Sequence, residues 1–377
     1  MSKFKAVLIE HGYASTQCER EIIEAAGGEF VDTENYPLKE ALRACEDADG
    51  VFCRRLQITA EILKTFRRCR VVVRYGVGTD NIDVDAATAA GIIVGHVPAY
   101  CVDEVSAHAL ALLLACVRQI VRTHQKLQRG EWDVHRGDPL YRMEGRTLGL
   151  VGLGNIGQSM ARKLSGWGLT LLATDPFVEV SRAAALGVKL VKLEELCEQS
   201  DFVSLHCPLL PETHHLMNQR TLARMKPGAM LINTARGPLI DATALLGALE
   251  NGLAAAGLDV FEEEPLPSDS PILRHPRVVL TDHAAWYSEE SQMQLQRTAA
   301  EEMVRVCTGG LPHAVANPEV LRRLGRFQEW KPSESARWQL KRLQGKGSDP
   351  HPALSHPPSS NPGGTSRMGE GNPTVSR

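Results

Sequence analysis

Thr147-Leu148-Gly149-Leu150-Val151-Gly152-Leu153-Gly154-Asn155-Ile156-Gly157 is the stretch on which the reading of this chain turns. Residues 148–151 are a short apolar run, and from Ile156 to Trp167 apolar residues recur at helical period, so three glycines join a strand to a helix. Gly152 permits the tight turn, and Gly154 lets backbone N–H groups approach a pyrophosphate at the helix N-terminus, where Asn155 and Ile156 begin the helix. Gly157 allows the helix to pack closely on its strand. Asp175 ends the next apolar run, eighteen residues after Gly157. A carboxylate there accepts both hydroxyls of an adenosine ribose and repels a 2′-phosphate, which favours NAD over NADP.

Outward from this unit the alternation of strand and helix continues. Downstream, strands are expected at residues 170–174, 202–205, 229–233 and 278–281; upstream, at 5–10, 50–53, 71–74 and 92–94. Such alternation implies parallel sheets. The fold class read from the sequence is α/β with two doubly wound parallel-sheet domains, a Rossmann NAD-binding domain (101–287) inserted in a flavodoxin-like substrate domain (1–100 and 288–325). Residues 102–122 read as one long helix between the two, 289–308 as a long returning helix, and 312–321 as a last piece lying on the first domain. Residues 130–144, with Trp132, His135, Arg136, Asp138, Pro139 and Tyr141, lack a clear period and suit either a dimer arm or a surface loop. Gly, Pro and Ser make up more than half of residues 345–377, so 326–377 is read as a disordered tail.

Composition narrows the function. With 42 basic and 45 acidic residues and a net charge of −3, nothing steers the chain toward nucleic acid or an anionic membrane. Its 9 cysteines show no metal spacing, so no metal site is expected. The N-terminus turns polar at once and the longest apolar run, 107–117, is too short to span a bilayer; the expectation is a cytoplasmic protein acting on a small molecule.

Hydride transfer between nicotinamide and a 2-keto or 2-hydroxy acid needs a cation for the carboxylate and a proton donor near neutral pH. Asn233-Thr234-Ala235-Arg236-Gly237 ends a strand where ligands sit in open α/β sheets, and the Arg236 guanidinium there would grip a carboxylate bidentately and polarise the carbonyl. Phe261-Glu262-Glu263-Glu264-Pro265 supplies a carboxylate, and Asp282-His283-Ala284-Ala285-Trp286 puts a histidine just after a strand. Glu264 beside His283 would favour the imidazolium needed for carbonyl reduction. Arg54 and Arg55, ending the strand at 50–53, are candidates for a second anionic group such as a phosphate.

These motifs, with Gly257-Leu258-Asp259-Val260-Phe261, resemble the D-isomer-specific 2-hydroxyacid dehydrogenases over roughly residues 1–325. Phosphoglycerate dehydrogenase is similar in general plan, while His283-Ala284-Ala285-Trp286-Tyr287-Ser288-Glu289-Glu290 most resembles the C-terminal binding proteins, dehydrogenase-fold corepressors. The resemblance implies Arg236, Glu264 and His283 as the catalytic trio, a homodimer, and Asp259 holding the nicotinamide amide. It implies Cys207, Pro208, Thr213, Thr234, Ala235, His283 and Ala285 at the cofactor. Arg74 with the turn Tyr75-Gly76-Val77-Gly78 would meet the substrate carboxylate, and Trp286 would narrow a pocket for an apolar side chain. Two departures stand out: Asp282 replaces the family's usual proline before the histidine, and the spacing from Arg236 to Glu264 is one residue shorter than common. Asp282 is expected to favour the imidazolium further. Two functions follow: a metabolic NAD-dependent dehydrogenase, or an NAD(H)-sensing corepressor or scaffold that turns over slowly and binds a peptide.

Overall fold

The structure, a computed structural model, describes residues 3–133 and 139–333. Strands β1 (Lys5–Leu8), β2 (Glu29–Asp32), β3 (Gly50–Cys53), β4 (Val71–Arg74) and β5 (Ile93–Gly95) pair in parallel in the order β2-β1-β3-β4-β5. This is the flavodoxin-like order. A second parallel sheet, in the order β12-β11-β10-β9-β6-β7-β8, is built from β6 (Thr147–Val151), β7 (Thr170–Thr174), β8 (Val188–Leu190), β9 (Phe202–Leu205), β10 (Met230–Asn233), β11 (Ala255–Leu258) and β12 (Val278–Leu280). Its order reverses on either side of β6, so the carboxyl end of β6 is a topological switch point where an open α/β sheet leaves room for a ligand.

Three strands carry no clear signal in the sequence. β2 and β8 are short and lie at sheet edges, so few apolar residues are asked of them. β11, Ala-Ala-Gly-Leu, is small where a strand is usually branched. A Cβ on Gly257 would lie 2.9 Å from Ile232 Cδ1 and 3.0 Å from Leu112 Cβ, so the strand is small because the helix Val102–Arg118 packs hard against it.

That helix is shorter than the sequence suggests. Instead of running to 122 it stops at Gln119, whose φ of 52° is left-handed, and the chain resumes as Ile120–Gln128 at an angle of 59°. The first segment buries Ala109, Leu112, Leu113, Cys116 and Val117 against the second sheet, while Val105 near its start joins the core of the first. The second buries none of its residues and exposes Ile120, Val121 and Leu127. Among the described residues no single helix is long and apolar enough to cross a membrane.

The helix Glu289–Cys307 returns to the first sheet, packing on Gln17–Ala25 and β4 through Leu295, Ala299, Met303 and Val306. Ser288 caps it, accepting from the Ser291 N–H at 2.9 Å, and donates at 2.8 Å to Glu104 on the helix that leads into the second sheet. Beyond it, Val315 bridges Gly95 and the Asn317 side chain takes the Val94 N–H at 2.8 Å, so residues 312–321 lie along β5. Packing does not end at 325, where the tail was expected to begin. Phe327–Glu329 forms a 3₁₀ turn, and Trp330, only 7% exposed, donates from its indole to the Pro312 carbonyl at 2.9 Å. The lone aromatic pair in a polar stretch hid this in the sequence; from residue 334 the expected tail lies outside the described residues, as do His135, Arg136 and Asp138 of the arm.

Candidate active site

Both sheets point their carboxyl ends into one cleft of about 2020 Å³, large enough for a dinucleotide and a small acid together. At its floor Gly152 has a φ of 94°, and a Cβ there would meet the Cys207 nitrogen at 2.7 Å, so only glycine fits between β6 and the loop after β9. Gly154 precedes the helix Asn155–Lys163 and has open space where a side chain would be. Asn155 and Ile156 line the cleft with it. Gly157 does not line the cleft: a Cβ would sit 2.3 Å from the Gly152 carbonyl, so its part is the close packing of helix on strand.

Asp175 stands at the end of β7, its two oxygens accepting the Leu153 and Phe177 N–H groups at 2.8 Å each. These single bonds orient the carboxylate and leave lone pairs for a diol. On the other wall, the Thr213 hydroxyl donates to the Pro208 carbonyl at 2.7 Å and accepts from the Leu210 N–H, which folds the Cys207-Pro208 loop into the cleft. Thr234 presents a buried hydroxyl with no partner among the described residues. An open glycine, an oriented carboxylate and an unsatisfied hydroxyl along one cleft fit an NAD molecule.

The turn after β10 is shaped by buried Asn233, which accepts the Ala235 N–H at 3.0 Å and donates to the Arg236 carbonyl at 2.8 Å. Arg236 is thereby thrown across the cleft, where its Nε donates to Asp80 of the other sheet at 3.0 Å. A Cβ on Gly237 would lie 1.8 Å from the Phe261 carbonyl carbon, so the turn is locked against the strand-end loop that carries Glu264. Glu264 accepts the Phe261 N–H at 2.9 Å and meets His283 Nδ1 at 2.6 Å. Burial would raise the Glu264 carboxyl, but the imidazole and the backbone N–H outweigh it and hold the group below the usual carboxylate range, with Arg236 adding to the effect.

His283 is held in a left-handed conformation, φ 59°, which costs about 1 kcal/mol or more for a non-glycine residue. The constraint comes from Asp259, 1% exposed, whose carbonyl takes the His283 N–H at 2.8 Å and whose carboxylate takes the Ala284 and Ala285 N–H groups at 2.9 and 3.0 Å. The same carboxylate accepts the Thr281 hydroxyl at 2.6 Å, and that oxygen lies 2.9 Å from His108 Nε2. Asp259 therefore lines the cleft but is first of all the clamp of the 281–285 turn. Neither His108 nor Thr281 was flagged by the sequence. Asp282 is exposed, and the side chain that meets the imidazole Nδ1 is Glu264.

On the side of the first sheet, Arg74 enters the cleft with its Nε buried and unpartnered among the described residues; burial, with Arg236 nearby, lowers its affinity for its proton. A Cβ on Gly76 would fall 1.5 Å from Arg74 Nη1 and one on Gly78 would fall 1.9 Å from Arg236 Nη2, so the turn is cut away where two guanidiniums pass. Val77 turns toward the core, its carbonyl 2.7 Å from His96 Nδ1. Tyr75, 2% exposed, buries its ring and donates from its hydroxyl to Glu19 at 3.0 Å, leaving only its backbone for a ligand. Trp286 sits 6.2 Å from Tyr100, and Arg54 lies over its ring at 5.1 Å and over Tyr13 at 4.9 Å. Arg55 is exposed at the rim.

The family model described as D-isomer specific 2-hydroxyacid dehydrogenase, NAD binding domain, matches residues 110–285. A glyoxylate reductase of Korarchaeum cryptofilum is 41% identical over 269 residues, 70% of this chain and 81% of that protein. The chain belongs to the D-isomer specific 2-hydroxyacid dehydrogenase family. A D-3-phosphoglycerate dehydrogenase of Methanocaldococcus jannaschii is 40% identical over 301 residues, 78% of this chain but 56% of that enzyme, so the chain spans little more than half its length. The crystal structure of a D-lactate dehydrogenase from Aquifex aeolicus complexed with NAD and lactic acid has a TM-score of 0.71 at 26% identity, covering 86% of this chain and 97% of that one. This D-2-hydroxyacid dehydrogenase is an NAD-dependent oxidoreductase acting on a CH–OH group.

Proposed function

We propose that the chain interconverts a 2-keto acid and a D-2-hydroxy acid, with Arg236, Glu264 and His283 as its working groups. The observation that carries this is the 2.6 Å contact between Glu264 and His283 Nδ1, which among the described residues leaves Nε2 as the ring's free nitrogen at a cleft that Arg236 also enters. Bound NAD(H) supplies or accepts the hydride. Arg236 and Arg74 bind the acid's carboxylate and polarise its carbonyl; His283 gives a proton to the carbonyl oxygen in reduction and takes it back in oxidation; Glu264 orients the ring and stabilises its charged form. Asp175 accepts the adenosine ribose, and Asp259, which lines the cleft beside the 281–285 turn, is assigned the nicotinamide amide.

Trp286 and Tyr100 form an aromatic wall for the acid's side chain, which favours an apolar or aromatic 2-keto acid. A substrate with a second anionic group is the other reading, since stacking on Trp286 and Tyr13 fixes the Arg54 plane and leaves edge N–H groups for an anion. The exposed Ile120, Leu127, Trp132 (84%) and Tyr141 (60%) support a homodimer, and nine free thiols suit a reducing, cytoplasmic setting. The test is NADH oxidation over glyoxylate, phenylpyruvate, 4-methylthio-2-oxobutyrate and 3-phosphohydroxypyruvate, each with native protein and His283→Gln. Native turnover lost by about 10²-fold or more in the variant is expected; undiminished turnover in His283→Gln refutes the assignment. Tight NADH binding with slow turnover of every acid would favour the sensing corepressor instead.

A further inference from the structure

Arg236 is pinned at two of its three nitrogens before any ligand arrives. Its Nη1 donates to its neighbour's carbonyl, Ala235, at 2.7 Å, and its Nε donates at 3.0 Å to Asp80, a residue of the β4 turn in the opposite sheet. The third nitrogen, Nη2, passes over Gly78, and Arg74 passes over Gly76 in the same turn. Two guanidiniums and one carboxylate thus converge from two sheets. Asp80 is 44% exposed in its side chain, and an ion pair at that exposure adds little to stability. What it does fix is direction, because the bond to Nε sets the plane of the guanidinium and leaves the Nη2 edge for a ligand.

We propose that Asp80 is a positioning residue, holding Arg236 from across the cleft in the orientation that receives the substrate carboxylate and leaving the subsite one positive charge that a single monoanion neutralises. The inference rests on the reading of Arg236 as the carboxylate-binding group. Burial would raise the Asp80 carboxyl, but Arg236 overcomes this and holds it below the usual range, so the carboxylate is charged at neutral pH.

The test compares Asp80→Asn, Asp80→Glu, Gly78→Ala and Arg236→Lys with the native protein. The readouts are kcat and KM for the preferred 2-keto acid, the competitive inhibition constant of oxamate (an unreactive isostere) at saturating NADH, and thermal stability. Asp80→Asn should lose about 10²-fold in kcat through misalignment of Arg236. It should also bind oxamate about tenfold more tightly, because a negative charge has left the subsite. Asp80→Glu should recover much of kcat with native oxamate affinity. Gly78→Ala, whose Cβ would fall 1.9 Å from Nη2 and 2.5 Å from Asp80 Oδ1 and so part the pair while leaving Asp80 charged, should lose kcat without tighter oxamate binding. A purely structural role would lower stability and weaken oxamate binding together. Asp80→Asn with kcat within about twofold of native, or with oxamate binding weakened, overturns the proposal; if that variant does not fold, native kcat in Gly78→Ala does so. Native turnover in Arg236→Lys would instead overturn the functional reading on which this one stands.

Discussion

Replacing Asp259 by asparagine keeps the shape of the clamp and removes its charge. One oxygen of Asp259 accepts Thr281 and Ala284, and the other accepts Ala285. An amide placed to keep the first two must turn its NH₂ toward the Ala285 N–H, donor against donor. The buried N–H left unsatisfied costs about 1–3 kcal/mol, and two charge-assisted bonds weakened to neutral ones add roughly 1 kcal/mol more. A total of about 3 kcal/mol corresponds to a drop of about 6–12 °C in the melting temperature of a unit of this size. The turn freed by the change holds His283 in its left-handed conformation, so kcat should fall by about 10²-fold as the imidazole shifts by an ångström. Urea unfolding followed by tryptophan fluorescence, alongside NADH-coupled turnover, measures both. Native stability and native kcat in Asp259→Asn would refute the clamp; lost stability with native kcat would refute its link to His283.

Gly237→Ala places a Cβ 1.8 Å from the Phe261 backbone and should push apart the loops bearing Arg236 and Glu264, lowering kcat by about 10²-fold, as steady-state kinetics would show. Because the Glu264 carboxyl is held below its ordinary value of 4.5, it contributes stability that is present above that pH and lost as pH falls through the depressed value; Glu264→Gln should therefore narrow the stability gap to native in acid, read from melting temperatures between pH 3 and 7. Asp175→Ser removes the carboxylate proposed to accept the adenosine ribose, and the ratio of NADH to NADPH efficiency should fall by about tenfold or more, measured as kcat/KM with each cofactor.

The chain's own order of residues was enough to establish the glycine turn, the strand-to-helix alternation and the carboxylate at Asp175, because these depend on local backbone geometry and short spacing. It also displayed Arg236 and His283 just after expected strands with Glu264 between them, although 28 and 19 residues separate neighbours in that series. Other features depended on contacts between distant segments and had no local signature. β11 is small because Leu112, on a helix 145 residues before Gly257, presses on it, and the helix from Val102 stops at Gln119 through a backbone angle that its composition does not announce. Tyr75 sits in a motif that suggests substrate contact, but Glu19 and the core draw its hydroxyl inward. Asp80 carries no signal of its own in the sequence; folding sets it against Arg236, 156 residues away. Sequence determined what each segment could do locally; which charges share a cleft, and which way they face, was decided by the packing of two sheets, since electrostatic and hydrogen-bonding partners are chosen by distance in space.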